Sequence, residues 1–322
     1  MRPAPADVAA VVIGRNEGAR LLACLESLSG EVARVVYVDS GSTDGSAEAA
    51  AARGAEVVAL DLSRPFTAAR ARNEGAARLG QGGMPPFIQF LDGDCTLAPG
   101  WIDAARPALI ADPGLALVCG RRRERHPEAS LWNRLIDREW DRPPGETRAC
   151  GGDFLIRSEA FAQVGGFDPR VIAGEEPEMC VRLRRAGWRL MRLDAEMTGH
   201  DAAMTRFSQW WRRARRAGYA YALGASLHGA PPERHYVPQL RRAILWGAVL
   251  PLLALALALV VSPWALLLLA VYPAQAARLA ARDGDAAHAA FTVLAKIPEA
   301  LGAAGFALDR ARGRTPEIIE YK

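Results

Sequence analysis

The sequence predicts an α/β protein: a mostly parallel sheet flanked by helices, followed by an apolar, membrane-type helical region. Three observations predict it. Short β-branched runs alternate with helically spaced stretches through the first ninety residues. Polar clusters follow three of those runs, where open α/β sheets hold their ligands. Residues 243–277 are almost purely apolar, with arginines on both sides.

The first run, Ala9-Ala10-Val11-Val12-Ile13, reads as a buried strand and breaks at Gly14-Arg15-Asn16-Glu17-Gly18. Ala19 to Leu28 has helical spacing, with Leu21, Leu22, Leu25 and Leu28 on one side. Val35 to Val38 is a second strand, Asp39 to Gly45 a loop, and Ser46 to Arg53 an alanine-rich helix. Glu56 to Leu60 is a third strand, Phe66 to Leu79 a helix, and Phe87 to Leu91 a fourth strand. Strands joined by helices imply crossover connections and parallel pairing. Spacing is less regular from Trp101 to Leu193, where Arg121 to Asp141 is dense in charge and tryptophan; Leu190 to Leu193 reads as a further strand.

The chain has 322 residues, half of them hydrophobic, and a net charge of +4. So mild a positive excess does not argue for nucleic acid. The five cysteines form no CxxC pair, which fits reduced thiols in a cytoplasmic domain. Met1 to Asp7 lacks the basic start and apolar run of a signal peptide.

Asp92 and Asp94 follow the fourth strand, with only Gly93 between them. Carboxylates are hard ligands suited to Mg2+ or Mn2+, and such ions usually share substrate phosphates. Alone, the tripeptide reads equally as a surface turn. Asp39 to Asp44 likewise matches ordinary turn chemistry, or a carboxylate that receives a nucleobase or ribose. Arg72, beside Asn73, could reach a phosphate or could simply be solvated.

The order of these segments is more specific than any one of them. Val-Val-Ile-Gly-Arg-Asn-Glu, Val-Tyr-Val-Asp-Ser-Gly-Ser-Thr-Asp-Gly-Ser, Ala-Arg-Asn-Glu-Gly and Phe-Leu-Asp-Gly-Asp together resemble family 2 glycosyltransferases over about 200 residues. The resemblance implies a GT-A (Rossmann-like) fold, a nucleotide-sugar donor, a divalent cation (Mg2+ or Mn2+) and inversion at the anomeric carbon. It implies donor contacts from Ile13, Arg15, Asn16, Glu17, Asp39, Ser40, Arg72, Asp92 and Gly93, with Asp39 on the nucleoside. Asp94 would bind the metal, with Asp92 near the ribose or metal. Cys150 to Arg157, Gly165 to Asp168 and Gly174 to Glu178 are similar to the family's acceptor-side segment, with Gly151, Gly152 and Asp153 on the acceptor side. The second acid of its acidic pair, Glu176, would be the catalytic base, and Glu175 is the second choice. Outside that context, Glu175, Glu176 and Glu178 are acids suited to a helix N-terminus. By the same resemblance His200 would complete the metal or diphosphate site; a lone histidine is otherwise structural.

Phe207, Trp210, Ala214, Ala217 and Tyr221 share one helical face, and arginines cover most of the rest. Such a helix fits a membrane interface, or packs on a domain with a solvated basic face. Residues 243–277 exceed one span of about 20 residues, and Ser262-Pro263 divides them. Two helices, about 243–261 and 263–280, would be roughly 27–28 Å long each and form a hairpin with both basic ends in the cytoplasm. Residues 286–309 form a weaker apolar helix that would lie along the interface.

The expected domains are a catalytic domain at 1–204, an interfacial helix and linker at 205–240, a transmembrane hairpin at 241–282, and an amphipathic helix with a tail at 283–322. The expected function is sugar transfer from a nucleotide-sugar to a lipid-linked or membrane-proximal acceptor, in glycan or glycolipid biosynthesis. The catalytic domain would face the cytoplasm at the inner membrane. Two alternatives are a processive polysaccharide synthase, whose Gln-x-x-Arg-Trp motif Gln209 to Arg213 only echoes, and a non-catalytic nucleotide-sugar-binding scaffold.

Overall fold

The sheet grows outward from β1 (Val8–Gly14), six of whose seven residues are buried. In the computed structural model, residues 5–64 and 66–314 are described. β2 (Arg34–Asp39) lies parallel to β1 on one side, with β3 (Glu56–Ala59) parallel beyond it. β4 (Phe87–Asp92) lies parallel to β1 on the other side. The chain therefore reverses its direction of growth at β1, and ligand crevices form at such a switch. Register brings the crevice walls level: Gly14 pairs with Asp39, and Ile13 with Asp92.

Helices close all three connections. α1 (Ala19–Leu28) buries Leu21, Cys24, Leu25 and Leu28, and α2 (Ser46–Ala51) is a short turn before β3. The next helix, α3, runs Ala68–Gln81, two residues later than its spacing predicts. The Thr67 side chain accepts from the Arg70 amide and sets that start. Gly75 lets α3 lie close on the sheet: a Cβ there would sit 2.4 Å from Val11 Cγ1.

Beyond β4 the sheet becomes mixed. Its order is β3-β2-β1-β4-β8-β6-β9-β5, with β7 on β9, nine strands among the described residues. These are β5 (Cys95–Leu97), β6 (Leu115–Glu124), β7 (Gly145–Glu146), β8 (Phe154–Arg157) and β9 (Arg189–His200). β8 is antiparallel to β4 and β6, while β6 and β9 are parallel. α4 (Trp101–Ala111), α5 (Leu131–Trp140), α6 (Ser158–Gln163) and α7 (Glu175–Arg185) fill the connections. β9 is far longer than the predicted Leu190 to Leu193 and carries His200 at its end.

The chain divides into two compact units, Met1–Thr205 and Arg206–Lys322. The second is helical: α8 (Phe207–His228), α9 (Val237–Ile244), a π-turn at Leu245–Val249, α10 (Leu250–Val260), a 3-10 stretch at Pro263–Ala270, α11 (Val271–Asp283), α12 (Ala286–Leu294) and α13 (Lys296–Ala311). The π-turn has a local cause, because Pro251 has no N–H for the carbonyl of Gly247. Ser262 caps the stretch after the break by accepting from the Trp264 amide. Val237–Val260, Pro263–Asp283 and Ala286–Ala311 are each long and apolar enough to cross a membrane, with mean hydropathies of 2.5, 1.3 and 1.3 over an 18-residue window in each.

Two sequence expectations change here. The third apolar stretch, expected to lie along an interface, also has the length and apolarity of a span. The apolar face of α8, expected to meet lipid, is covered by protein in part: Trp210 and Ala214 are buried, while Phe207 is exposed. Trp210 packs edge-on to Phe291 at 5.0 Å, and a Cβ on Gly218 would sit 1.9 Å from the Glu299 carbonyl oxygen. Gly302 approaches the Arg215 carbonyl equally closely, so α8 and α13 touch backbone to backbone. Periodicity shows that a face is apolar, not what covers it. The tail beyond residue 314 lies outside the described residues.

Candidate active site

The loops after β1, β2 and β4 meet through backbone bonds. The Ser40 amide donates to the Gly14 carbonyl (3.0 Å) and the Gly93 amide to the Ile13 carbonyl (2.8 Å). Asn16, at φ 55°, joins the first two loops: its amide donates to Ser42 Oγ (2.9 Å), and its side-chain oxygen accepts from the Thr43 amide (2.7 Å). Glu17 pairs with Arg20 (2.7 Å), and Arg15 is exposed on the same loop. Asp39 does form the turn its sequence allows. Its Oδ2 accepts from the Gly41 and Ser42 amides, and its Oδ1 from the Tyr37 hydroxyl. Ser40 Oγ is buried without a hydrogen-bond partner among the described residues. A polar atom so placed suits a bound ligand.

Arg72 is the hub of the second part of the site. It is 2 % exposed. Its Nη2 donates to Asp92 Oδ1 (2.8 Å), and its Nη1 lies 2.9 Å from both Glu175 Oε1 and Glu176 Oε1. The guanidinium expected to reach a phosphate is thus committed to three carboxylates. Next to it, Asn73 clasps the acceptor-side loop: Nδ2 donates to the Phe167 carbonyl (2.8 Å), and Oδ1 accepts from the Phe167 amide (2.9 Å). Gly152 is equally constrained, since a Cβ there would lie 2.7 Å from both Arg72 Nη2 and Asp92 Oδ2. Gly151 has open space instead.

Charge in this cluster is unevenly divided. Burial alone would raise the pKa of Asp92; Arg72 and then Arg122 outweigh it and hold the carboxyl well below the usual range. For Glu176 the balance reverses. Burial, then the adjacent Glu175, pushes its carboxyl up to about 7 against the pull of Arg72. A carboxylate that titrates near neutrality is suited to taking up a proton at physiological pH.

The third part is the candidate metal pair. His200 Nε2 lies 3.3 Å from Asp94 Oδ2, both residues being buried. Two neighbouring ligands on an octahedral ion with bonds of about 2.1 Å stand about 3.0 Å apart, so this spacing fits Mg2+ or Mn2+. Cys95 Sγ adjoins the pair, but burial raises its thiol well above the ordinary range. The neutral thiol donates to Asp94 Oδ1 (3.5 Å) and leaves Oδ2 toward the histidine. Burial, then Arg122, lowers the His200 pKa, which favours the neutral ring a ligand requires. Asp92, also expected at the metal, belongs to a second group of potential ligands with Cys95 and Asp153, while its oxygens also face Arg72 and Arg122.

Asp153, expected on the acceptor side, is held beneath Asp92. It is 1 % exposed, and its oxygens accept from the Asp92 amide (3.3 Å) and Thr198 Oγ1 (2.7 Å) and pair with Arg122 (3.3 Å). It is a strut under Asp92. Sequence reasoning also missed Arg122, Glu124 and Trp140. Arg122 lies over the Trp140 ring at 4.8 Å, and Glu124 Oε2 faces His200 Nδ1 at 3.4 Å. Strand alternation could have found the first two: Arg122 and Glu124 reach the site, while Arg121 and Arg123 pair elsewhere with Asp137 and Glu196.

Known proteins resemble this chain in sequence and in fold. The profile of glycosyl transferase family 2 matches residues 9–165, and that of glycosyl transferase family group 2 matches residues 148–281. The chain is 31 % identical over 224 residues to a pre-mycofactocin glycosyltransferase of Mycobacterium tuberculosis, a match covering 66 % of this chain and 46 % of the relative. The chain thus spans about half the length of that relative. It is 28 % identical over 252 residues to the N-acetylglucosaminyl-diphospho-decaprenol L-rhamnosyltransferase of the same organism, covering 60 % of this chain and 81 % of the relative. A mannosyltransferase from Pyrobaculum calidifontis, solved with GDP-Man and Mn2+, superposes with a TM-score of 0.66 at 20 % identity, over 96 % of this chain and 90 % of that one. At that identity the likeness speaks for the fold. The strand–loop segments, the mixed sheet and two profiles running from residue 9 to residue 281 lead to one conclusion: the chain belongs to glycosyltransferase family 2, with a GT-A fold.

Proposed function

We propose that this protein transfers a single sugar, with inversion and with a divalent cation, from a nucleotide-sugar to a lipid-linked or membrane-proximal acceptor. The observation that carries the reading is the pairing of two unlike acidic groups in one site: Glu176, pushed up to about 7, and Asp94 with His200 at 3.3 Å. Asp94 and His200 would hold Mg2+ or Mn2+, which when bound neutralises charge on the departing nucleoside diphosphate. The loops carrying Asn16, Asp39 and Ser40 receive the nucleoside. Glu176 takes the proton from the acceptor hydroxyl. The acceptor oxygen bonds to the anomeric carbon from the side opposite the diphosphate, whose bond breaks and which leaves with the electron pair. Arg72 serves as a positioning residue that holds Asp92, Glu175 and Glu176 together.

The apolar stretches of the second unit would hold the enzyme at the inner membrane, with Arg241, Arg242, Arg278 and Arg282 favouring a cytoplasmic face for both ends of the first two. Lipid-linked transfer is further supported by the relative named for a diphospho-decaprenol acceptor. Single transfer is favoured over a processive synthase because Gln209, the start of the echoed motif, is occupied as a helix cap: its Oε1 accepts from the Arg206 amide (3.0 Å).

The test uses the purified full chain, with UDP-, GDP- and dTDP-sugars screened for thermal stabilisation and donor hydrolysis. One donor class is expected to stabilise the protein only with Mn2+ or Mg2+, and Asp94→Ala to lose that response. Stabilisation that survives EDTA would sink the metal assignment.

A further inference from the structure

We propose that Glu124 is a positioning residue for the metal site, fixing the His200 ring so that Nε2 faces the position beside Asp94 Oδ2. This rests on the reading of Asp94 and His200 as metal ligands.

The placement follows from strand register. β9 lies between β6 and β5, and His200 pairs with Glu124 on one side and Cys95 on the other. Asp94 immediately precedes Cys95, and the Asp94 carbonyl accepts from the Asp201 amide (3.0 Å). Three strands thus set Glu124, His200 and the Asp94 carboxylate in a row. Glu124 is 4 % exposed.

The chemistry follows from donor and acceptor roles. An ionised carboxylate can only accept. Glu124 Oε2, 3.4 Å from His200 Nδ1, therefore selects the tautomer with its proton on Nδ1 and leaves the Nε2 lone pair for a cation. That oxygen is itself held by the Ala202 amide (3.0 Å), and Oε1 by the His126 amide (3.2 Å) and Asn133 Nδ2 (3.4 Å). Trp140 stands edge-on to the imidazole, with centroids 4.9 Å apart and planes at 89°, and restricts ring rotation. Carboxylates behind ligating histidines commonly affect metal affinity 10–100-fold.

Mn2+ binding to the full chain, read from the free-ion EPR signal without donor, tests the assignment in the wild type, Glu124→Gln, His200→Ala and the double variant. The expected result is about 10–100-fold weaker binding for Glu124→Gln, and no further loss when it is added to His200→Ala. Equal losses in both backgrounds would show that Glu124 supports the fold and not the histidine, and unchanged binding in Glu124→Gln would overturn the proposal directly. His200→Ala binding Mn2+ like the wild type removes the ligand reading itself, and this inference with it. Because Glu124 also holds two backbone amides, a second measurement avoids mutating it. The 15N shifts of His200 in the wild-type protein, assigned by their loss in His200→Ala, should report a protonated Nδ1 and an unprotonated Nε2; the opposite tautomer refutes the proposal.

Discussion

Two acidic clusters share this site and are built in opposite ways. The Asp92, Glu175 and Glu176 carboxylates gather around one buried guanidinium, with Arg72 within 2.9 Å of each. The Asp94 carboxylate instead faces an imidazole and a neutral thiol. In the first cluster the protein supplies the countercharge itself, and the acids are tuned against one another. In the second, Asp94 Oδ2 and His200 Nε2 face each other at 3.3 Å, a cation-sized spacing. One cluster is suited to moving a proton and the other to receiving a metal ion.

The sharpest way to separate them is Glu176→Gln. It should lower transfer by about 10²–10⁴-fold while leaving metal-dependent donor affinity within a factor of a few. A loss of donor affinity matching the loss of turnover would merge the two clusters into one binding site.

Arg72→Lys is next in effect. An ammonium cannot serve three carboxylates with a planar fork, and breaking a buried pair of this kind costs about 3–5 kcal/mol. Arg72 is also what pulls the Glu176 pKa down. Its replacement should therefore move the acid limb of the rate profile to higher pH, with activity recovering as pH rises. An acid limb that stays in place would mean that Arg72 does not set the base.

The smallest effect needs no variant. On the proposed role of Glu176 the base works ionised, and its carboxyl is pushed up to about 7, so the rate should fall as pH drops through that value and reach about half there. Metal affinity read at the same pH values should not follow that curve. Parallel curves would show one titrating group governing both clusters.

Much of this was legible in the chain. The first four strands and their helices followed from β-branched runs and leucine spacing, because local burial alone dictates them. Asp39, Asp92 and Asp94 were legible as strand-end residues. What stayed hidden depends on distant pairing. Glu124 looks like the end of an arginine run until β6 and β9 place it opposite His200. Asp153 follows two glycines that suggest an open acceptor loop, yet its carboxylate is buried against Asp92, Thr198 and Arg122. The packing of α8 against α13 was hidden for a related reason, since the glycines that bring the two helices together lie some eighty residues apart.

Gly152 has a thermodynamic consequence. Its missing side chain lets the backbone before β8 press on Arg72 and Asp92, so on the proposed reading donor and acceptor would meet across a single peptide. Any free energy the acceptor gains by settling that peptide is felt by the donor, and linkage requires the effect to be mutual. Donor affinity measured with and without acceptor, and acceptor affinity with and without donor, should then change by the same factor.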